Sequence, residues 1–596
     1  MRRRRLRHSS HRRERSFALA SALALGAGGS AAAQEPAASS GAAAKRAAPA
    51  FLHRADSGID FVHRRFLTPG KKYLPETMGA GVGLLDYDGD GRLDVYCVQG
   101  CPLPGHPEPA AAPRDALYRN EGVVDGRFRF RRVPDVVTVK ADGGTTREAP
   151  LGLGDVGYGM AVTCPDVDND GDPDLFVTRV GRDVLCRNNG DDTFTDVTAA
   201  SGIADDLWNG PAAWADFDRD GDLDLYLGNY AQIDYATYKV CGTRDKISYC
   251  HPDTLASAPD RLYRNDGALR FTDVTADAGI VEPDLGGKAL AAIPWDWDED
   301  GRLDLYVAND ADPNHLWHNV TGPDGKMRFE EVASAVGVAV DGRGRSQSCM
   351  GSDIADVDGD LRLDVVSANL GKEGTVLYVQ CEDHLFDDKS FPSGLGGPSF
   401  LTTGFGLRFF DYDLDADPDL IVVNGAAVDD VHDVDPNQTY EQLPHFFENR
   451  GDGTFLQVGP RLSPFFERPD VGRGLAVGDL DGDGDDDVVV LENDHPVQVL
   501  ENVLATQNHR VTFRLVGTKS PRDPIGARIY LTCGDKTQLQ ELHPTASYFS
   551  WQDLRMTFGV GPRTSKAAAK IVWPSGRVQE LKDLDLDVCH RIVEPQ

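Results

Sequence analysis

One pattern, Asp-x-Asp-x-Asp-x-x-x-Asp, is written seven times along this chain. The first copy is Asp86, Asp88, Asp90 and Asp94, and the second is Asp166, Asp168, Asp170 and Asp174. Then come Asp216, Asp218, Asp220 and Asp224, and Asp296, Asp298, Asp300 and Asp304. The last three are Asp356, Asp358, Asp360 and Asp364; Asp411, Asp413, Asp415 and Asp419; and Asp479, Asp481, Asp483 and Asp487. Carboxylates at positions 1, 3, 5 and 9 of a tight loop suit calcium, which takes about six to eight oxygen ligands at about 2.3–2.6 Å. Position 7 adds its backbone carbonyl. Position 6 turns sharply, and it is Gly91, Gly171, Gly221, Gly301 and Gly484 in five loops. Leu361 and Ala416 hold that position in the fifth and sixth loops, where a side chain resists positive φ and predicts weaker sites. A single copy reads equally well as a solvated acidic turn. Seven in register point to calcium, up to seven ions.

The loops recur every 50 to 80 residues, the spacing of propeller blades or a solenoid. Short alternating apolar segments flank each loop, such as Val82–Leu85 before the first and Leu303–Val307 after the fourth, so each loop joins two antiparallel strands. A third strand carries a Leu-Tyr-Arg-Asn theme (Leu117–Asn120, Leu185–Asn188, Leu262–Asn265, Leu316–Asn319), and a Phe-led fourth follows, as at Phe194–Thr198 and Phe271–Thr275. Four strands make a propeller blade. Helical periodicity is nowhere sustained. The expectation is an all-β chain with a seven-bladed propeller over residues 51–504. Ile59–Phe66 is expected to complete the last blade and hide the open edge.

Net charge is −34, a surface that repels nucleic acid and anionic lipid. Only the N-terminus is basic. Its Arg-rich stretch, the apolar run Phe17–Gly26 and Ala31-Ala32-Ala33 read as a signal peptide over residues 1–33, and therefore as a secreted, periplasmic or extracellular protein. Arg12-Arg13 leaves the twin-arginine and ordinary secretory routes both open. Residues 34–50, rich in Ala, Pro and Ser, read as a linker. No apolar run is long enough to span a bilayer. Ten Cys fit an oxidising compartment, and pairing of sequence neighbours gives Cys97/Cys101, Cys164/Cys186, Cys241/Cys250, Cys349/Cys381 and Cys533/Cys589.

The loops resemble FG-GAP and VCBS repeats, as in integrin α-subunit propellers. Lys72-Tyr73-Leu74-Pro75-Glu76-Thr77-Met78-Gly79 ahead of the first loop, and the Cys241–Cys250 loop with Tyr249, resemble the cartilage acidic protein family and its bacterial relatives. Gly517–Ser520, Arg522-Asp523, Ile525–Arg528 and Trp573-Pro574-Ser575-Gly576 are similar to the ASPIC/UnbV domain, with Pro521 and Pro524 departing from its usual pattern. Residues 505–596 read independently as β, with Val511–Val516 and Arg528–Thr532 alternating, and a small sandwich is expected. The resemblance implies extracellular matrix or surface interactions.

No GxSxG, HExxH or GxxxxGK[ST] motif is present, so the catalytic residues of an enzyme are unknown here. Two insertions offer binding residues. Asn229–Pro259 carries Tyr230, Tyr235, Tyr238, Tyr249 and His251; Gly425–Pro444 carries His432, Tyr440 and four Asp, with His445 just beyond. Aromatics on a clamped loop suit sugar or protein contacts, or they pack the loop onto its blade. The four Asp (429, 430, 433 and 435) could hold an extra ion, or are a solvated acidic loop. Two readings follow. One is a calcium-binding adhesion or recognition protein for an extracellular protein or glycan; the other is a lyase-like propeller acting on extracellular polysaccharide.

Overall fold

Phe51 stands in an aromatic socket made by Phe410, Tyr412 and Phe446, with ring centroids 6.3, 6.0 and 5.7 Å away. From there Phe51–His53 pairs antiparallel with Leu500–Asn502, so the start of the domain completes the last sheet. This was found in a computed structural model, which describes residues 49–108, 114–141, 145–153, 157–243, 246–281 and 287–596. The signal-peptide and linker expectations lie almost wholly outside the described residues.

Among the described residues, seven four-stranded antiparallel units follow one another. Blade 1 runs Val82–Leu85, Asp94–Cys97, Ala116–Val124, Arg127–Arg132, and blade 2 runs Tyr158–Thr163, Leu175–Val180, Val184–Asn188, Phe194–Asp196. Blade 3 is Trp208–Ala215, Asp224–Ala231, Arg261–Asn265, Phe271–Asp273, and blade 4 is Ala289–Trp295, Asp304–Asn309, His315–Asn319, Phe329–Glu331. Blade 5 is Cys349–Ala355, Asp364–Asn369, Val376–Gln380, Phe386–Asp388, and blade 6 is Gly404–Phe410, Asp419–Asn424, His445–Asn449, Phe455–Gln457. Blade 7 is Gly472–Gly478, Asp487–Glu492, Gln498–Asn502, closed by Phe51–His53. The first strands touch in cyclic order, blade 7 returning to blade 1, so the ring is closed. The expected seven-bladed propeller is therefore present. Ile59–Phe66 is not the closing strand: it makes only single bridges, Val62 to Pro496 and His63 to Asn493. The aromatic anchor explains why Phe51 takes that place.

The C-terminal region is a two-sheet sandwich. Arg555–Gly561, His509–Val516 and Cys589–Val593 form one sheet; Lys536–Glu541, Arg528–Cys533, Ala567–Val572 and Val578–Leu584 form the other. Phe513, Phe558, Ile571 and Trp573 fill the space between them. One connection leaves the sandwich and fills the hub of the ring. Thr545–Gln552 is buried throughout. Trp551 N donates to Val82 O (3.0 Å), Leu84 N donates to Trp551 O (3.1 Å), Val162 N donates to Phe549 O (3.1 Å), and Ser547 N donates to Ser352 O (2.7 Å). Gln552 Nε2 donates to Leu475 O at 3.1 Å. First strands that would leave inward-facing amides at the axis find their partners here. From the other end of the axis Tyr73–Met78 packs down, and Tyr548 OH donates to Met78 O at 3.3 Å.

Among the described residues one disulfide forms, Cys241–Cys250; the other eight Cys are free. The remaining four expected pairs are corrected. Cys164 follows a first strand and Cys186 lies on a third; Cys349 opens a first strand and Cys381 follows a third. Two inter-strand steps of about 4.8 Å exceed the roughly 7 Å Cα separation a disulfide tolerates. Cys533 and Cys589 lie in opposite sheets of the sandwich, and Cys97 sits in the ladder between Val82 and Ala116 while Cys101 is in the loop beyond.

Candidate metal centres

Each Asp-rich loop joins the first and second strands of its blade, so all seven lie on one face of the ring. Position 1 folds the loop around itself. Its Oδ2 accepts from the position-6 N–H at Gly91 (2.9 Å), Gly171 (2.8 Å), Gly221 (3.1 Å) and Gly301 (3.0 Å). Leu361 and Ala416 keep the same bond at 3.0 and 2.8 Å. They do so at φ 68° and 86°, inside the range of the five glycines or below it, so these loops retain their shape under backbone strain. Position 4 is also left-handed in every loop, at Gly89, Asn169, Arg219, Glu299, Gly359, Leu414 and Gly482. Sequence reasoning missed this because Arg, Glu and Leu carry no signal for it.

Position 9 is a clamp. Asp94 Oδ1 accepts from Asn120 N (2.7 Å) and Oδ2 from Tyr87 N (3.1 Å). Asp174, Asp224, Asp304, Asp364 and Asp487 repeat the arrangement. The third-strand Asn then reaches the blade before it. Its side-chain amide donates to the position-2 carbonyl of that blade's loop: Asn188 to Tyr87 (2.8 Å), Asn265 to Val167 (3.4 Å), Asn319 to Phe217 (2.9 Å), Asn449 to Val357 (2.9 Å) and Asn502 to Tyr412 (2.8 Å). Gln380 substitutes in blade 5, bonding Trp297 O at 2.8 Å, and Asn120 closes the circle on Leu480. The recurring Asn, visible in the sequence, thus ties every loop to its neighbour.

A cation would relieve the electrostatics of these loops. Burial, with mutual repulsion from neighbouring carboxylates, raises Asp166, Asp216 and Asp356 to about 7, and Asp296 to about 6. Burial likewise raises Asp94 and Asp174 to about 8, and Asp224, Asp304, Asp364, Asp419 and Asp487 well above the usual carboxylate range. Buried oxygens without a hydrogen bond remain on Asp166, Asp218, Asp296, Asp358, Asp413 and Asp419, at least one in each of loops 2 to 6. In loop 1, Asp88 Oδ2 faces the Arg119 guanidinium at 2.5 Å instead. Carboxylate oxygens of Asp86, Asp88 and Asp94, of Asp166, Asp168 and Asp170, and of Asp216, Asp218 and Asp224 lie within 4.8 Å of one another. Hard oxygen donors left unpaired at that spacing fit a divalent cation.

The sandwich docks on this same face. Arg555 Nη2 donates to Asp479 O (2.8 Å), Arg510 Nη2 to Asp483 O (2.7 Å) and Asn508 Nδ2 to Asp413 O (2.8 Å). Lys536 Nζ donates to Ala416 O (2.9 Å), and Asp166 N donates to Asp523 Oδ2 (3.0 Å).

The FG-GAP-like repeat model matches residues 166–227, 296–367 and 411–490, and the ASPIC and UnbV model matches residues 517–596. The chain carries FG-GAP-like repeats and an ASPIC and UnbV domain. This propeller is homologous to cartilage acidic protein 1. It is 24% identical to the Mus musculus protein over 547 residues, 88% of this chain and 75% of that one. It is 24% identical to the Homo sapiens protein over 546 residues, 88% and 73% of the two chains. Among solved structures, an Agrocybe aegerita protein recognising non-reducing terminal N-acetylglucosamine has 16% identity and a TM-score of 0.33, covering 71% of this chain and 94% of that one. Bacillus licheniformis rhamnogalacturonan lyase has 11% identity and a TM-score of 0.28, covering 76% and 89%. At these scores neither bears on function.

On the opposite face of the FG-GAP-like ring, the two insertions pack rather than reach out. Tyr230, Tyr238 and Tyr249 are buried. Tyr235 and Tyr238 meet Tyr73 at 5.0 and 4.8 Å, and Tyr238 OH accepts from Leu74 N at 2.9 Å. His251 stays exposed, and His445 is buried at the start of a third strand. Of the acidic residues in the second insertion, Asp429 pairs with Lys72, Asp433 with Lys246 and Asp435 with Lys372. Cations of the protein already serve that loop.

Proposed function

We propose that this protein is an exported, calcium-stabilised recognition protein that presents loops of a rigid disc to an extracellular protein or glycan. The seven Asp loops, with buried unpaired carboxylate oxygens in loops 2 to 6, are the observation that carries this reading. The homology to a cartilage protein supports an extracellular setting. Calcium would be held by the position 1, 3, 5 and 9 carboxylates. It would neutralise charge that otherwise opposes closure of the loops. Each site would contribute about 2.7 kcal/mol at 100-fold saturation, comparable to a sizeable part of a domain's roughly 5–15 kcal/mol.

The aromatics of the insertions are spent on packing, so recognition falls to their exposed parts. Val240, Val434 and Leu443 face solvent there, and the Lys246–Asp433 pair joins the two insertions. The test has two arms. A metal count on the native protein should return calcium, and chelation should lower the melting temperature steeply. Probing a glycan and matrix-protein array with the folded chain should give binding that is lost when Val434 and Leu443 are changed to Asp. A calcium-free native protein with an unchanged melt in EGTA would end the reading. Appearance of unsaturated uronate absorbance with acidic polysaccharides would replace recognition with lyase action.

A further inference from the structure

The residue just before the third-strand Asn or Gln differs from blade to blade. It is Arg119, Arg187 and Arg264 in blades 1 to 3, then His318, Val379, Glu448 and Glu501. In blades 1 and 2 the arginine lies on the carboxylates of positions 3 and 5. Arg119 Nη2 is 2.5 Å from Asp88 and 3.5 Å from Asp90, and Arg187 is 2.6 Å from Asp168 and 2.7 Å from Asp170. A guanidinium there is a fixed cation that donates and never ligates.

Blade 4 puts an imidazole in that place. His318 Nε2 is 3.2 Å from Asp298 Oδ2 and 3.9 Å from Asp300 Oδ2. The nitrogen is shielded from solvent and makes no hydrogen bond. Asp296, the first carboxylate of the loop, is 8% exposed, and its Oδ1 is also without a hydrogen bond. Gly301 N and the Arg528 guanidinium engage only its Oδ2. The Trp297 and His318 rings meet edge to face, with centroids 6.1 Å apart at 84°. Two ligands of a tetrahedral ion at bond lengths of about 2.0–2.1 Å stand about 3.3 Å apart, close to the 3.2 Å between His318 and Asp298. Calcium prefers oxygen; an imidazole nitrogen beside carboxylates suits zinc and its neighbours.

The geometry points to loop 4 as a mixed nitrogen and oxygen site for a borderline divalent ion, with His318 Nε2, Asp298, Asp300 and Asp296 as donors. This rests on the loops being metal sites, and it separates one of them from the other six. Zinc is the probe. The full chain is stripped of metal, saturated with calcium, titrated with Zn²⁺ by calorimetry, desalted and assayed for both metals. One zinc per chain is expected to remain in the presence of excess calcium. His318→Arg installs the residue that blades 1 and 2 already carry, so it should fold and melt as the parent does. It should weaken zinc by more than the roughly 10–100-fold that loss of an outer-shell partner costs. His495→Ala, at a separate His and carboxylate group with Asp470 and Glu492, should leave zinc binding unchanged. Co²⁺ substituted for zinc should show a visible spectrum that His318→Arg abolishes. Calcium filling the loops with no zinc retained, equal zinc binding by parent and His318→Arg, or loss on His495→Ala would each overturn the assignment. Binding of neither metal would remove the underlying reading of the loops as well.

Discussion

The side-chain amide of Asn120 donates to the carbonyl of Leu480 at 2.8 Å, across the seam where the last blade meets the first. The same amide also donates to Leu93 O at 3.0 Å, within its own blade. One side chain therefore holds a loop of blade 7 against a loop of blade 1.

Asn120→Ala leaves both buried carbonyls unpaired. An orphaned buried acceptor costs about 1–3 kcal/mol, so the unfolding free energy from urea denaturation should fall by at least that much and the midpoint with it. An unshifted midpoint would mean that the seam does not depend on this amide.

The pH dependence of the calcium-free protein should run opposite to that of most proteins. The loop carboxylates titrate near 3.8 when unfolded and are raised to about 6 at Asp296, about 7 at Asp166 and about 8 at Asp94 in the fold. Stability from such groups is fully present below the unfolded value and is lost as pH rises through the folded one. In EDTA, melting temperature should decline between pH 5 and pH 8. Added calcium competes with those protons, so the calcium-induced rise should grow over the same interval. Differential scanning fluorimetry at each pH decides it, and a flat EDTA series would contradict the account.

Ala416 holds φ 86° where five loops have glycine. The left-handed conformation costs about 1–2 kcal/mol with a Cβ, and glycine returns about 0.5–1 kcal/mol of that through its looser unfolded state. Ala416→Gly should stabilise the protein by about 0.5–1 kcal/mol in chemical denaturation and tighten calcium at loop 6. Leu361→Gly is a poorer test, because Leu361 packs against the core between blades 4 and 5.

Trp551 lies in the hub with its backbone paired to Val82 and Leu84. Trp551→Ala should cost about 3–5 kcal/mol and expose the sandwich to proteolysis before the ring. Simultaneous loss of both would show that they unfold as one unit.

The seven blades were legible because the Asp loops, the third-strand Asn and the Phe-led fourth strand repeat in a fixed order. The turn at position 6 was legible through its glycines; the one at position 4 was not, since Glu299 and Leu414 adopt it without any compositional cue. The closing strand was misplaced because Ile59–Phe66 is as apolar as Phe51–His53, and only the Phe410, Tyr412 and Phe446 socket tells them apart. The hub segment Thr545–Gln552 has neither strand alternation nor helical period, so nothing local announced that it leaves its own domain. Four cysteine pairs failed because adjacency in sequence says nothing of which strand of a blade each one occupies. His318 was in view within the third-strand motif, but its value depends on the loop carboxylates that lie beside it in space.

The axis of the disc is filled by residues that leave the ribosome after all seven blades. A chain still being made has a ring whose innermost amides lack these partners until Thr545 to Gln552 arrive. Assembly must therefore finish from the tail inward, and a chain cut short before Thr545 would have a rim without this axle.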